Sequence, residues 1–458
     1  MSSFLPPSPM LADAIRFYHD LLDEELAQSA QAQLDEQQQR RGLFFGNRPL
    51  CTVLRPRFLS PEHFRYLQQR VARLLAAFAR IHQLALADPG FRQQFGLLDW
   101  EEALVGLDPG YRSPTPLARL DTFFDPATLT LKVTEYNAET PAAAAYNDVL
   151  SAVFLALPVM GEFMKRYQVR PLPARADTLH ALLDSYRQWR GRRERPRLAI
   201  LDWEEVPTYS EFVLFADYFR SHGLECVIAD PRTAEYRDGR LYVGDFAVDL
   251  IYKRVLISEL VRWGGLDQPI LRAVRDRAVC MVNPLSCKLL YKKASLAVLS
   301  DERNHHLFSA EENAAIRAHV PWTRFVAERY TEYNGERVDL IPFVLARRAQ
   351  LVLKPNDEYG GKGIVLGWEV DDSAWAAAVQ TALTEPYIVQ ERIIIPTEPY
   401  PGLVDGQLQL IPRLFDTAPF CFYGEFMSSC LTRLSTVALL NVTAGGGSTV
   451  PTFVVEER

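Results

Sequence analysis

The chain is poor in the residues from which covalent and metal chemistry is usually built. It holds six cysteines and eight histidines in 458 residues. The cysteines form no CxxC pair and share no ligand-like spacing with histidine, which excludes the common zinc frameworks and leaves free, mostly buried thiols as the expectation. His305-His306 lacks a partner one helical turn away, so it is read as a non-metal pair. Positive charge is not in excess either. A net charge of −7 and a pI of about 5.7 argue against nucleic acid or an anionic membrane as partner. The most apolar stretch, 142–160, is broken by Asn147, Asp148 and Pro158 and is too interrupted to span a bilayer. No basic segment precedes an apolar core at the N-terminus, so a cytoplasmic protein is expected. There is no internal repeat, no GxGxxG, no Walker A motif and no recognisable Ser/His/Asp or Cys/His nucleophile pattern.

A hydrophobic content of 48% fits globular cores, and the length suits about three domains. The stretch that stands out is Leu351-Val-Leu-Lys-Pro-Asn-Asp-Glu-Tyr-Gly-Gly-Lys-Gly363. A buried strand is expected to stop at Lys354-Pro355, and a second apolar run, Ile364–Trp368, follows the glycines. A strand–glycine loop–strand unit suits phosphate binding, because glycines let backbone N–H groups converge on an anion. Lys354 would reach in from the strand, and Lys362 would ride on the loop with Gly360, Gly361 and Gly363. A plain hairpin with a solvated lysine at its tip is the competing explanation.

The segment Leu117-Ala-Arg-Leu-Asp-Thr-Phe-Phe-Asp-Pro-Ala-Thr-Leu-Thr-Leu-Lys-Val-Thr-Glu-Tyr-Asn137 reads as two strands around an Asp125–Thr128 turn. Arg119 and Asp121 share one face of the first strand; Glu135 and Asn137 share one face of the second. Pairing them would bring two carboxylates and an amide oxygen together, a hard-oxygen set suited to Mg²⁺. On pattern alone, a polar solvent-facing side explains the same residues.

Elsewhere, residues 10–40 read as one helix, and Ser60-Pro61 opens another that runs to Leu86. From Arg197 onward a small Rossmann-like unit is expected, with strands at 197–201, 225–230, 248–252 and 280–284. Arg254, at a strand's C-terminal end, would hold a substrate carboxylate or phosphate, or else lie on the surface. Tyr387–Ile395 reads as an apolar strand whose polar break, Gln390-Glu391-Arg392, marks a ligand or a bulge. The Gly445–Gly447 run is either a second anion-contacting loop or a turn. The expected divisions are a helical region (1–115), the hairpin with following helices (116–195), the Rossmann-like unit (196–285) and a nucleotide-binding region (286–458).

Arg119-Leu-Asp121, Glu135-Tyr-Asn-Ala-Glu-Thr-Pro141, Asn283-Pro284 with Lys292-Lys-Ala294, Leu353-Lys-Pro355 with its glycine loop, and Ile388-Val-Gln-Glu391 occur in one order along the chain. Together they resemble the circularly permuted ATP-grasp proteins, among them glutathionylspermidine synthetase, and more distantly eukaryotic glutathione synthetase. The resemblance implies an α/β ATP-grasp fold, circularly permuted, with a Rossmann-like substrate domain and an N-terminal helical layer. It also implies ATP and Mg²⁺ as cofactors. Asp121, Glu135 and Asn137 would then be the metal ligands, and Arg119 would steady transition-state charge. Lys292 or Lys293 would pair with Lys354 on the phosphates, with Gln390 and Glu391 at the adenine. The plainer glycine loop departs from glutathionylspermidine synthetase, so the resemblance carries ATP and magnesium further than glutathione and spermidine.

The reaction so implied joins a carboxylate to an amine through an acyl-phosphate, with Arg119, Lys362 and Arg254 as catalytic candidates. The partners would be a small-molecule acid and an amine, including peptides or polyamines. A non-catalytic ATP-binding module and an ATP-grasp kinase are the alternatives.

Overall fold

The computed structural model describes residues 9–437 and 447–458; of the triple glycine, Gly445 and Gly446 lie outside the described residues. Among the described residues the largest sheet has nine strands. Its main path runs Thr397–Val404, Gln407–Phe415, Phe426–Ser435, Ala418–Phe422, Leu117–Asp125, Thr130–Asn137. Ser448–Glu457 branches from it and pairs with Arg57–Leu59 and Tyr167–Pro171. The C-terminal strand therefore closes on the first two-fifths of the sequence.

Helix Pro61–Ala87 covers one face of this sheet. Ser60 caps it by accepting from the His63 N–H, with Pro61 in the first turn, as the sequence predicts. Its Leu67, Val71, Leu74 and Phe78 pack with Leu120 and Tyr136 of the hairpin. The single helix expected over 10–40 is two, Pro9–Leu21 and Glu24–Arg41. Asp23 causes the break: its backbone is extended and its carboxylate accepts the Leu26 N–H, so it starts a new helix instead of continuing the old one.

The hairpin has the register its alternation implies. Arg119 lies opposite Asn137 and Asp121 opposite Glu135, with an irregularity between Asp121 and Thr122 that shifts the remaining pairs.

A second sheet is antiparallel, in the order Thr323–Phe325, Tyr387–Glu391, Leu351–Pro355, Val365–Leu366. The strand expected to reach Ile395 stops at Glu391. There the Arg392 N–H turns to the Gln350 carbonyl at 2.7 Å, and Ile394 is left 91% exposed. Between Pro355 and Val365 the chain turns through Gly360 (φ 66°), Gly361 (φ 79°) and Gly363 (φ 69°), left-handed angles that disfavour any side chain. At Gly363 a Cβ would also come within 2.7 Å of the Pro355 ring.

The third sheet is the expected parallel one, in the order Cys280–Val282, Leu250–Lys253, Leu198–Leu201, Cys226–Ala229. Beside it, Asp238-Gly239 forms the two-residue turn between Ala234–Arg237 and Arg240–Val243. All six cysteines are free and buried. Among the described residues, no helix is long and apolar enough to cross a membrane.

Candidate active site

The end of the large sheet and the antiparallel sheet face each other across a cavity of about 190 Å³. Val352, Leu366, Trp368 and Ile395 give it apolar walls, with the Arg392 guanidinium 4.2 Å from the Trp368 ring, and Asp121, Glu135, Lys293, Lys354, Asp416 and Arg433 give it an ionic part. An apolar slot leading to clustered charge matches a flat, weakly polar group joined to a polyanion.

At the ionic end, charges alternate. Arg119 forks onto Asp121, Nε to Oδ1 at 2.7 Å and Nη2 to Oδ2 at 3.1 Å. Arg433 donates from Nη2 to the same Oδ2 at 2.7 Å and from Nε to Asp416 at 2.7 Å. Burial works to raise Asp121, but Arg119 and Arg433 outweigh it and hold the carboxyl at about 2, so it is charged at neutral pH. Burial dominates at Asp416 and pushes its carboxyl up despite Arg433.

Lys354 projects from its strand, donating to the Gln390 side-chain oxygen at 2.7 Å and the Thr134 carbonyl at 3.3 Å. Burial lowers it to about 8, with Glu135 opposing the fall. A phosphate would favour the charged ammonium. Affinity for a phosphate-bearing ligand in this cavity is therefore expected to fall as pH rises through about 8, because binding must then take up a proton. Dissociation constants measured from pH 7 to 9.5 check this, and Lys354→Arg should flatten the curve since arginine stays charged. Lys354→Ala should weaken binding by about 1.5–3 kcal/mol, the worth of a hydrogen bond to a charged group.

The structure separates two adjacent lysines that spacing alone leaves equivalent. Lys293 faces the cavity, 3.6 Å from Glu135, and its Nζ donates to the Glu358 carbonyl at 2.6 Å. Lys292 points away to Glu101 at 2.8 Å. Gly360 and Gly361 line the cavity, whereas Lys362 lines a different one and sets its ammonium 4.8 Å from the Tyr359 ring. Gln390 lies between Lys354 and the Thr323 hydroxyl (3.0 Å), so it orients the lysine; Glu391 accepts from the Tyr333 hydroxyl at 3.0 Å. Asn137 sits next to Arg119 in register on the polar face. Arg254 lies at its strand end as expected but is neither on the surface nor in this cavity. It is 5% exposed, donating to the Pro141 carbonyl and, at 3.2 Å, to the Tyr252 hydroxyl.

Arg433 and Asp416 were not legible as site residues. Arg433 meets Asp121 from 312 positions away, and no local pattern signals that encounter.

Among the described residues, no three His, Cys, Asp or Glu side chains converge as a metal cage. The donor chemistry nonetheless fits Mg²⁺ shared with a nucleotide. Asp121 is charged, and among the described residues its Oδ1 accepts one hydrogen bond, from the Arg119 Nε–H, which leaves a lone pair directed elsewhere. Glu135 retains 24% side-chain exposure and Asn137 supplies an amide oxygen on the same face.

No protein-family model matches the chain. A protein of Frankia alni provisionally named glutamate–cysteine ligase 2-3 is 29% identical, over 44% of this chain and 23% of its own length. A protein of Frankia casuarinae provisionally named glutamate–cysteine ligase 2-2 is 28% identical over the same shares. The chain thus spans under a quarter of the curated relatives it matches. A glutathione synthetase-like effector of Globodera pallida, solved in its apo form, superposes over 98% of both chains with a TM-score of 0.56 at 12% identity. At that identity the likeness shows a shared fold: the mixed α/β architecture of a glutathione synthetase-like protein.

Proposed function

We propose that the chain is an ATP- and Mg²⁺-dependent carboxylate–amine ligase of circularly permuted ATP-grasp type, acting on small amino-acid or peptide substrates through an acyl-phosphate. The observation that carries this is the single cavity that joins an apolar slot to Lys293, Lys354, Asp121 and Glu135. The partial likeness to proteins named glutamate–cysteine ligase supports the ligase class.

In this scheme Lys293 and Lys354 neutralise the phosphates as the γ-phosphoryl group moves to the substrate carboxylate. Asp121, Glu135 and Asn137 would hold Mg²⁺, which supplies charge neutralisation of the transferring phosphoryl group. Arg119 and Arg433, fixed by their carboxylate partners, present charge without reorganising during the reaction. The two sheets exclude water from the acyl-phosphate until an amine attacks it.

Hydroxylamine tests the intermediate directly, because it intercepts an activated acyl group as a hydroxamate. With pooled amino acids and short peptides, hydroxamate should form only when ATP and Mg²⁺ are both present. ATP binding with no hydroxamate and no ADP would favour a non-catalytic nucleotide-binding module. A stable phosphorylated hydroxyl product would indicate a kinase.

A further inference from the structure

On the face of the large sheet turned away from the Lys354 cavity, two arginines are buried with one carboxylate between them. Arg433 and Leu434 are neighbours on one strand, so their side chains point to opposite faces. Arg433 lines the cavity, whereas Leu434 packs with Phe58, Tyr400 and Phe415 in a separate core. Arg55 and Arg57 enter that core from the first part of the chain, and both are buried. Arg57 lies in the strand Arg57–Leu59, opposite Thr452 of the C-terminal strand. Its guanidinium stacks 4.0 Å from the Phe415 ring, and that of Arg55 lies 4.2 Å from the Tyr400 ring. The rings hold both charged groups in place.

Their pairing is incomplete. Both reach the same oxygen of Glu398, Arg55 from Nη2 at 3.1 Å and Arg57 from Nη1. Among the described residues no other carboxylate forms an ion pair with either, and residues 1–8 and 438–446 contain no Asp or Glu. Two buried cations therefore share one anion, and Arg413 stands opposite Glu398 in register. Arg55 also donates to the Pro56 and Pro399 carbonyls, at 3.2 and 3.3 Å. Arg57 has no such outlet: its Nε–H and Nη2–H are buried without a hydrogen-bond partner. That edge is the fork with which Arg119 clasps Asp121. The Arg55 Nε–H and the Tyr400 hydroxyl are unpartnered too, the hydroxyl beside Arg57 and Glu398 but out of hydrogen-bond geometry. Burial pushes the Tyr400 phenol up to about 12, with Glu398 adding to the rise, so it keeps a proton to donate. His19 borders Arg55 with a buried, unpartnered Nε2; burial and then Arg55 lower it to about 4, so its ring is neutral. Buried donors left in such a group are the exception in folded proteins.

We infer that this cluster is a binding site for a small oxyanion, a carboxylate or a phosphate, separate from the nucleotide site and independent of the ligase reading. Arg57 supplies the two parallel donors that carboxylate and phosphate oxygens match, and Arg55 Nε and the Tyr400 hydroxyl supply further ones. The ligand brings the negative charge that the two guanidiniums lack and satisfies donors that otherwise cost stability in a dry core. Glu398 repels an incoming anion, but it holds the Nη1 side of Arg57 and leaves the fork clear. Access is from the Glu398 side, where its side chain keeps 16% exposure and His19 and Arg413 are part-exposed.

The test is thermal unfolding of the full chain titrated with sodium phosphate and, separately, sodium acetate, with chloride holding the ionic strength constant. The midpoint should rise and saturate with at least one of them, since a ligand of the folded state alone stabilises by mass action. A response to phosphate alone assigns a phosphate ligand; a response to acetate assigns a carboxylate. Arg57→Lys keeps the charge beside Glu398 and removes the fork, so it should raise the half-saturating concentration at least about tenfold, the worth of one charge-assisted hydrogen bond. Tyr400→Phe keeps the ring against Arg55 and loses the hydroxyl, so it should raise that concentration by a smaller factor, and it decides alone if Arg57→Lys fails to fold. Lys354→Ala should leave the titration unchanged. No saturating rise with either anion, or a titration unaltered in Arg57→Lys, overturns the site. Loss of the response in Lys354→Ala also overturns it, by placing the anion in the nucleotide cavity.

Discussion

Glu135→Gln is expected to lower ATP turnover by about two to three orders of magnitude, the usual loss when one charged partner of a transferring group is removed. The residue stands opposite Asp121 in the hairpin, faces the cavity and lies 3.6 Å from Lys293. Glutamine keeps the shape and removes the charge. The side chain retains 24% exposure, so the fold should hold, and circular dichroism beside kcat checks both halves. Asp121→Asn should also abolish turnover but is a less clean test. It strips the charge on which both Arg119 and Arg433 converge, so it costs stability as well as activity. Wild-type turnover in Glu135→Gln would remove the metal and phosphate assignment from the hairpin.

The second large effect is on stability. Beneath the glycine loop lies a buried ionic cluster in which three lysines meet three carboxylates: Lys253, Lys288 and Lys292 with Glu101, Glu139 and Asp357. Lys288 is 1% exposed, with Asp357 at 2.7 Å and Glu139 at 3.3 Å. Burial would lower the Lys288 ammonium, but Glu139 and Asp357 outweigh it and raise it, while Glu139 is itself held below the usual carboxylate range. Glu139 also accepts the Ile257 N–H, joining the hairpin to the parallel sheet's helix. Lys288→Met keeps most of the volume and leaves two carboxylates short of a counter-charge in a dry site. It should destabilise the fold by about 3–5 kcal/mol. Pairing it with Asp357→Asn should recover part of the loss, because the carboxylate 2.7 Å from Lys288 is then no longer an unpaired charge. Thermal or urea unfolding of the single and double variants decides this, and equal losses in both would contradict the account.

What the sequence could show follows from how local each feature is. The Asp125–Thr128 turn and period-two alternation set the hairpin register, so Asp121 and Glu135 were legible as a facing pair. The left-handed glycines after Lys354 announced the loop. Lys292 and Lys293 were not separable, since both lie in the short link between helices Lys288–Tyr291 and Ala294–Ser300. Only the extended backbone at Lys292 (ψ 134°) turns the two side chains apart. Arg433 and Asp416 come from the far end of the chain, and their role depends on a strand pairing that no local spacing encodes. The strand expected to end at Ile395 failed for a similar reason. Apolar residues there wall a cavity and are not buried in a sheet, and period alone does not distinguish the two.

The measurement that bears most directly on the central claim is ADP release by the purified chain with ATP and Mg²⁺. It would be run with pooled acids, with pooled amines, with both and with neither, beside Glu135→Gln. The account predicts rapid release only when acid and amine are present together, lost in the variant. Release that is indifferent to the amine and unchanged in Glu135→Gln would contradict it.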